Sequence, residues 1–417
     1  MTKIFDYLII GAGISGTSFA RYLQLKKPEK TFIILESEGE PGGLCRTKNI
    51  SGNYLDIGGG HFLCSKYLEV YNFIFQHIPE SSFNYFSRVS KIRIENEVID
   101  YPIESNIFQL PINLQIDYLI SIIQSGENTS EAEPTNYEEY IIWKLGKRIA
   151  EKYMIPYNTK IWGISPQEMD VDWLYKIPRL DVREIILSCL QKRADPSKMP
   201  SHVGFYYPKT GGFQEIFNAI YRFIEPHVIL SSPVTSIKKE INYFSVNNEY
   251  KAKKIINTAP WPKLIGTMNI PKKILDYIKS LKYSSIVVSL WQNSYGHNYH
   301  WLYDPDMNYE PHREFFIHNF APHSIKDWYY TETNLKRWPG INKNWKNGQQ
   351  PFYEHSNEFA YPIPSIGRKQ SIHTILEYFR KIGIFGLGRW GQWEYFNADV
   401  CILEAMKLFN ELENDTL

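Results

Sequence analysis

Residues 5–47, FDYLIIGAGISGTSFARYLQLKKPEKTFIILESEGEPGGLCRT, decide the fold. Tyr7 to Ile10 is an apolar run of the kind that forms a buried parallel strand. It ends in Gly11-Ala12-Gly13-Ile14-Ser15-Gly16, a GxGxxG turn, and the pattern beyond predicts a helix through about Leu25. A second run, Thr31 to Leu35, predicts the next strand and closes on Glu36, 20 residues after Gly16. Gly11 permits the tight turn, Gly13 lets backbone approach a pyrophosphate, and Gly16 lets helix and strand pack closely. The helix start offers free N–H groups and a positive dipole end to the phosphates. Glu36, at the tip of the second strand, can accept hydrogen bonds from a ribose. A βαβ unit whose glycines only turn corners would not need the acid at this distance.

The glycines continue. Pro41-Gly42-Gly43-Leu44-Cys45-Arg46-Thr47 is a loop whose backbone can press against a ligand with a cation beside it. Asp56-Ile57-Gly58-Gly59-Gly60-His61 suits a backbone lying along a flat ring, although His61 by itself reads as an ordinary loop histidine. Near the other end, Gly383 to Arg389 is a strand running into a glycine–arginine turn. Asn397 then caps a helix with an apolar face of Ile402, Ala405, Met406 and Phe409. A chain that opens and closes on such units holds a long cofactor by both termini, and FAD fits that length better than NAD.

At 417 residues the chain is large enough for two or three domains or one discontinuous domain. A net charge of +1 gives no electrostatic case for nucleic acid or a membrane surface. No apolar run reaches 18 residues, so no membrane insertion is expected, and the direct entry into strand one argues against a secretory signal and for a cytoplasmic protein. The four cysteines, Cys45, Cys64, Cys189 and Cys401, have no metal or disulfide spacing. His297, His300, His312 and His318 match no zinc pattern and read as surface residues of an aromatic sheet; no metal is expected.

Between the termini, residues 91–103 alternate around a turn at Glu95-Asn96 and predict a hairpin. Residues 104–124 read as helical and 125–135 as an exposed loop. Asn136 with Glu139 resembles a capping box opening one amphipathic helix along Ile142, Leu145, Ile149 and Tyr153. A helix is expected over 214–223, with strands over 228–230, 234–238, 243–246 and 255–258 and a hairpin turn at Asn247-Asn248. Strands follow over 284–291 and 313–319, then a polar surface loop over 340–358. Lys251 to Lys254 read as a solvated strand edge. The expected architecture is α/β, a discontinuous Rossmann-like FAD domain with a helical insertion and a mostly antiparallel β-sheet substrate domain. The divisions are 1–85 with 205–260 and 370–417, 104–200, and 86–103 with 261–369.

Taken together, FDYLIIGAGISG, PGGLCRT, GGGHF, DYPIESNIFQLP, MIPYNTKIWG, YYPKTGGF, PHREFFIHNF, FAYPIP and GLGRWGQWEYFN resemble the UDP-galactopyranose mutases, within the amine-oxidase-like flavoproteins. The glycine motifs specify only FAD; the YNTKIWG and FAYPIP pair points to the mutase branch. The resemblance implies an isomerase working in cell-surface polysaccharide precursor synthesis. It further implies that FAD, reduced by NAD(P)H or another reductant, would supply N5 as the nucleophile for the anomeric carbon of a UDP-sugar. In the family so resembled, the nucleoside diphosphate leaves and returns as pyranose becomes furanose. It assigns catalysis to His61, Arg313 and Lys176, and substrate binding to Tyr157, Trp162, Lys176, Arg313, Tyr361, Tyr395 and Asn397. The cofactor set is Gly11, Gly13, Ile14, Ser15, Gly16, Glu36, Gly43, Leu44, Arg46, Gly59, Gly60, His61, Val234, Gly388, Arg389, Tyr395 and Asn397. Lys176 stands where the family has an arginine, losing the bidentate fork, with Arg179 and Arg183 nearby, and Asn397 where bacterial mutases often have aspartate. The sugar, the reductant and the oligomeric state, monomer or homodimer, stay open. An FAD-dependent amine oxidase or desaturase is the alternative, and a flavin-binding scaffold without turnover a third.

Overall fold

The structure, a computed structural model, describes residues 3–174, 181–194, 204–293, 296–340, 345 and 348–414. Lys176 and Arg179 lie outside the described residues. The first apolar run forms the strand Ile4–Ile10, whose residues Tyr7 to Ile10 are all buried. It lies inside a seven-stranded sheet. Phe32–Leu35 and then Val228–Ile229 run parallel on one side of it, and Tyr250–Asn257 runs parallel on the other. Ile384–Gly386 pairs in parallel with the end of Tyr250–Asn257, while Ile237–Lys239 and Phe244–Val246 add antiparallel pairing at its start. The register brings Ile10 opposite Asn257 and Asn257 opposite Gly386. Two glycine-rich turns from opposite ends of the sequence therefore leave one sheet rim, where α/β sheets bind ligands.

Lys251 to Lys254 are not at an edge, because their strand has a neighbour on both sides. The buried half, Ile255 to Asn257, fixes the strand there, and Lys253 reaches out to Asp6 at 2.8 Å. The strand expected from Val234 starts instead at Ile237. The N–H groups of Thr235 and Ser236 donate to the Asn247 side chain, which leaves no ladder for residues 234–236 to join. Asn247 and Asn248 both adopt positive φ, 53° and 54°, the two-residue turn their identity favours.

The second sheet also has seven strands, in the spatial order Tyr353–Pro362, Tyr283–Gln292, Trp328–Asn334, Arg313–Phe315, Trp301–Tyr303, Ser90–Ile94, Glu97–Asp100. It is antiparallel except where Trp301–Tyr303 meets Ser90–Ile94. Glu95 and Asn96 make the predicted turn with φ of 53° and 66°. The polar reading of residues 340–358 holds only in part: Tyr353 onward is strand, and Trp345 is buried against Trp291 with ring centres 5.2 Å apart.

Helices Ile112–Ile123, Tyr137–Leu145, Ile155–Trp162 and Val182–Gln191 build the insertion. The Asn136 side chain accepts from the Glu139 N–H at 3.0 Å, as a cap should. The expected single helix breaks after Leu145, since Gly146 takes φ of 80° where its Cα approaches the Ser121 carbonyl of the neighbouring helix. Arg148 N–H then donates to the Ser121 hydroxyl, and a π turn, Ala150–Met154, restarts the path toward Ile155. Within the segment read as an exposed loop, Gly126–Thr129 is a helical turn with Gly126 buried under Trp143. Among the described residues, no helix is long and apolar enough to cross a membrane.

Candidate functional site

At the sheet rim Gly11, Gly16 and Gly388 are steric necessities. A Cβ on Gly16 would sit 2.3 Å from the Gly11 carbonyl, and one on Gly11, whose φ is 100°, would sit 2.5 Å from the Thr258 hydroxyl. Gly13 caps the helix Ile14–Lys26 with no side chain on its first N–H groups, and a Cβ there would meet nothing within 4 Å. That is open room at a positive helix end. Gly42 N–H donates to the Ala12 carbonyl, which presses the PGGLCR loop, with Gly43 and Leu44 in a 3-10 turn, against the first turn. A Cβ on Gly388, at φ of 73°, would lie 1.9 Å from the Ser15 hydroxyl oxygen. The two ends of the chain thus touch. Glu36 accepts from the Ala12 and Glu38 N–H groups at 2.8 and 2.9 Å, so its carboxylate faces the rim. Arg46 donates to the Gly43 carbonyl and pairs with Glu38 at 2.8 Å. Val234 is half-buried in the loop whose residues Ser231 and Ser232 bond the carbonyls of Glu38 and Glu36.

Glycine backbone from both ends of the sequence meeting at one helix start fits a dinucleotide such as FAD. The fit continues along Gly58–His61. A Cβ on Gly60 would overlap the Phe315 ring at 1.8 Å, and one on Gly59 would stand 2.6 Å from the Glu332 carboxylate, so this loop lies flat on the second sheet. His61 stacks on Phe213 at 5.1 Å and its buried Nδ1 has no partner. Burial, with Arg389 adding to it, pushes the imidazole down to about 3, so His61 is neutral across the physiological range. Beneath the loop Asp56 is fully buried, accepting from Thr47, Tyr207 and the Phe213 N–H. Burial raises its carboxyl to about 7 against those three donors.

Opposite His61 the second sheet supplies charge. Arg313 and Glu332 face each other in register on neighbouring strands. Arg313 Nε and Nη2 donate to Glu332 Oε2 at 2.9 and 2.6 Å, and Nη2 also donates to the Tyr361 hydroxyl at 2.9 Å. Tyr361 in turn donates to Glu332 Oε1, which His312 Nε2 approaches to 3.3 Å. Glu332 is fully buried. Burial pushes its carboxyl up, but Arg313, His312 and Tyr361 override that and hold it well below the usual carboxylate range. Arg313 is correspondingly held charged, and its Nη1 is not engaged in these bonds.

Aromatic rings wall this cluster. Trp162 lies 6.1 Å from Tyr361 and 5.6 Å from Tyr395, and Tyr361 lies 5.4 Å from Tyr395. Tyr157 stands 6.1 Å from His312. The Arg389 guanidinium covers the Tyr361 and Tyr395 rings at 5.5 and 5.7 Å while donating to the Phe396 and Ala360 carbonyls. Tyr157 and Trp162 come from one helix, which Lys160 pins: its fully buried Nζ donates to the Asp304 and Asp306 carbonyls, both at 2.8 Å.

Of the sequence-predicted residues, His61, Tyr157, Trp162, Arg313, Tyr361, Arg389 and Tyr395 are brought together in one cluster. Gly11, Gly13, Ile14, Ser15, Gly16, Glu36, Gly43, Leu44, Arg46 and Gly388 surround the rim, and Asn397 is exposed just before the helix Ala398–Asn414. Lys176 lies outside the described residues. His300 and His312 are buried, not on the surface, since both point into the sheet layers; His300 Nδ1 accepts from the Val89 N–H. Glu332 escaped the sequence reading. In WYYTETN it looks like the solvated member of an alternating strand, and only the cross-strand register shows its partner. His312 carried a weak signal through its place beside Arg313.

A model of the NAD(P)-binding Rossmann-like domain matches residues 9–76. A stretch of 185 residues is 26% identical to the "Probable UDP-galactopyranose mutase" of Klebsiella pneumoniae, covering 42% of this chain. The match spans about half of that relative, 45% of its length. The crystal structure of a reduced UDP-galactopyranose mutase superposes over 99% of this chain and 96% of its own, with a TM-score of 0.88 at 22% identity. The chain has the UDP-galactopyranose mutase fold. The cyclohexylamine oxidase of Brevibacterium oxydans shares it more loosely, covering 99% of both chains with a TM-score of 0.65 at 13% identity. The mutase fold accounts for the discontinuous sheet: the Rossmann-like match stops at residue 76, yet strands from 228–257 and 384–386 complete the layer.

Proposed function

We propose that this protein is a flavin-dependent nucleotide-sugar pyranose–furanose mutase, acting on a UDP-sugar, with the division into FAD, helical and β-sheet domains read from the sequence. One observation carries the proposal. A charged Arg313, oriented by the buried Glu332 and bonded to Tyr361, faces the Gly58–His61 loop inside a wall of Trp162, Tyr157 and Tyr395. A cation with hydroxyls beside it is suited to hold a diphosphate, and rings are suited to cover a base and a sugar. Bound as reduced FAD, the cofactor would supply the nucleophile for the anomeric carbon.

The protein's own residues do the rest. Arg313 keeps its charge whether or not a ligand is present, because Glu332 fixes two of its N–H groups and leaves Nη1 available to a departing diphosphate oxygen. Tyr395 places a hydroxyl near that oxygen set, Tyr361 donates its own hydrogen bond to Glu332 and so steadies Arg313, and Arg389 holds the Tyr395 loop through the Phe396 carbonyl. Neutral His61 offers an imidazole without charge to a flat ring. In this reading Lys176 supplies the second cation.

The test is to reduce the flavin-loaded protein with dithionite and incubate it with UDP-galactose and other UDP-sugars. A furanose product supports the reading, and none from any sugar with flavin intact sinks it. The cyclohexylamine oxidase fold keeps an amine-oxidising flavoenzyme as the second reading, and peroxide release on adding amines would select it. Ile112, Ile116, Ile120 and Ile123 form an exposed ridge at helical spacing, beside Leu187 and Leu190, and we propose it as a homodimer face.

A further inference from the structure

Arg368 sits where three segments meet, and each leads to a residue of the proposed site. Its side chain is 4% exposed. Nη2 donates to Asp172 at 2.9 Å, and Asp172 lies two residues beyond the stretch 168–170 that docks on residues 364–366 and four residues before Lys176. Nη1 donates to the Trp393 carbonyl and pairs with Glu394, both at 2.8 Å. Its own backbone follows the strand that ends in Tyr361 and Pro362. The loop it grips is unusual. Trp393 is fully buried yet takes a φ of 53°, a left-handed conformation that a bulky side chain resists. Glu394 N–H then returns to the Arg389 carbonyl, and the chain emerges at Tyr395 against Trp162 and Tyr361.

The junction is poorly optimised for stability. Arg368 Nε, Asp172 Oδ1 and Trp393 Nε1 are all buried without a hydrogen-bond partner. A cluster kept for stability alone would satisfy these atoms or replace them with apolar groups. We infer that Arg368 is a positioning residue: by holding the Trp393 carbonyl and Glu394 against Asp172, it keeps the strained turn that aims Tyr395 into the diphosphate site. The inference rests on the nucleotide-sugar reading and adds a residue outside the site that sets its affinity. Lysine cannot replace it, because one ammonium on a flexible stem does not span two carboxylates and a carbonyl in the plane that the guanidinium does.

The experiment measures UDP affinity by tryptophan-fluorescence titration of the flavin-loaded protein. Wild type, Arg368→Met, Arg368→Lys, Tyr395→Ala and the double variant Arg368→Met/Tyr395→Ala are compared, with flavin content read from absorbance. Arg368→Met and Arg368→Lys are expected to weaken UDP at least tenfold with flavin content unchanged. In the Tyr395→Ala background, Arg368→Met is expected to change affinity less than threefold, because the residue it acts through is gone. A purely structural role would weaken binding equally in both backgrounds, and that result overturns the inference. So does affinity within threefold of wild type for a flavin-loaded Arg368→Met. If Arg368→Met does not fold, Arg368→Lys decides by the same criterion. Wild-type protein without UDP affinity would overturn the nucleotide-sugar reading and this inference with it, whereas equal affinities would overturn this inference alone.

Discussion

Replacing Glu332 with glutamine tests the centre of the site with one oxygen-for-nitrogen exchange. Glu332 is fully buried and takes hydrogen bonds from Arg313 and Tyr361, with His312 at 3.3 Å. An amide at this position carries no charge, and its NH2 group turns a donor toward a guanidinium or a hydroxyl. The Arg313 side chain, 18% exposed, is left as a largely desolvated cation. Breaking a buried pair in this way costs about 3–5 kcal/mol. The loss should appear as a lower urea midpoint for the ligand-free protein. UDP should then recover part of it, because a diphosphate returns negative charge to Arg313. In wild type Glu332 already neutralises the guanidinium that a diphosphate at Nη1 would meet, so the UDP-induced rise in midpoint is expected to be larger for Glu332→Gln. The pH dependence has a definite sign. The folded-state carboxyl lies far below its ordinary value of 4.5, so the advantage of wild type over Glu332→Gln is complete at pH 7. It is lost as the pH falls below about 4. Equal urea midpoints for the two proteins at pH 7 would show that Glu332 does not compensate the Arg313 charge, and equal UDP shifts would show the same.

Two further predictions follow from single positions. Burial lowers the Lys160 ammonium to about 7 from 10.5, so between those values the unfolded chain holds a proton that the folded one has released. Wild type should therefore gain on Lys160→Met as the pH rises, by about 3 kcal/mol from pH 7 to 9.5; a constant difference in urea stability would contradict it. Gly388→Ala would place a methyl 1.9 Å from the Ser15 hydroxyl oxygen at a φ of 73°. It is expected to lower bound flavin severalfold, read from the ratio of flavin to protein absorbance, and full flavin occupancy would count against the shared cradle.

Much of the local architecture could be read directly because its causes are local. The turns at Glu95-Asn96 and Asn247-Asn248 follow from residues that tolerate positive φ, and the Asn136 cap needs only a partner three residues on. The break after Leu145 was not legible, since Gly146 bends to admit the Ser121 carbonyl from a helix more than twenty residues earlier. Lys251 to Lys254 misled for a similar reason. A lysine-rich stretch describes its side chains and says nothing of how many strands lie beside it.

By itself the sequence determined the glycine-lined cradle: no side chain fits where Gly11, Gly16, Gly60 or Gly388 stand, so residue type and backbone path are one constraint. It also determined the members of the site that lie on recognisable motifs. Their joint chemistry was decided only by tertiary structure. Arg313 meets Glu332 through strand register, Tyr361 reaches them from a strand further across the sheet, and Arg368 reaches Asp172 and Trp393 across three segments. A charge pattern along one chain cannot state which carboxylate a guanidinium will find. That depends on which strands lie side by side, and burial of the whole sheet sets that order.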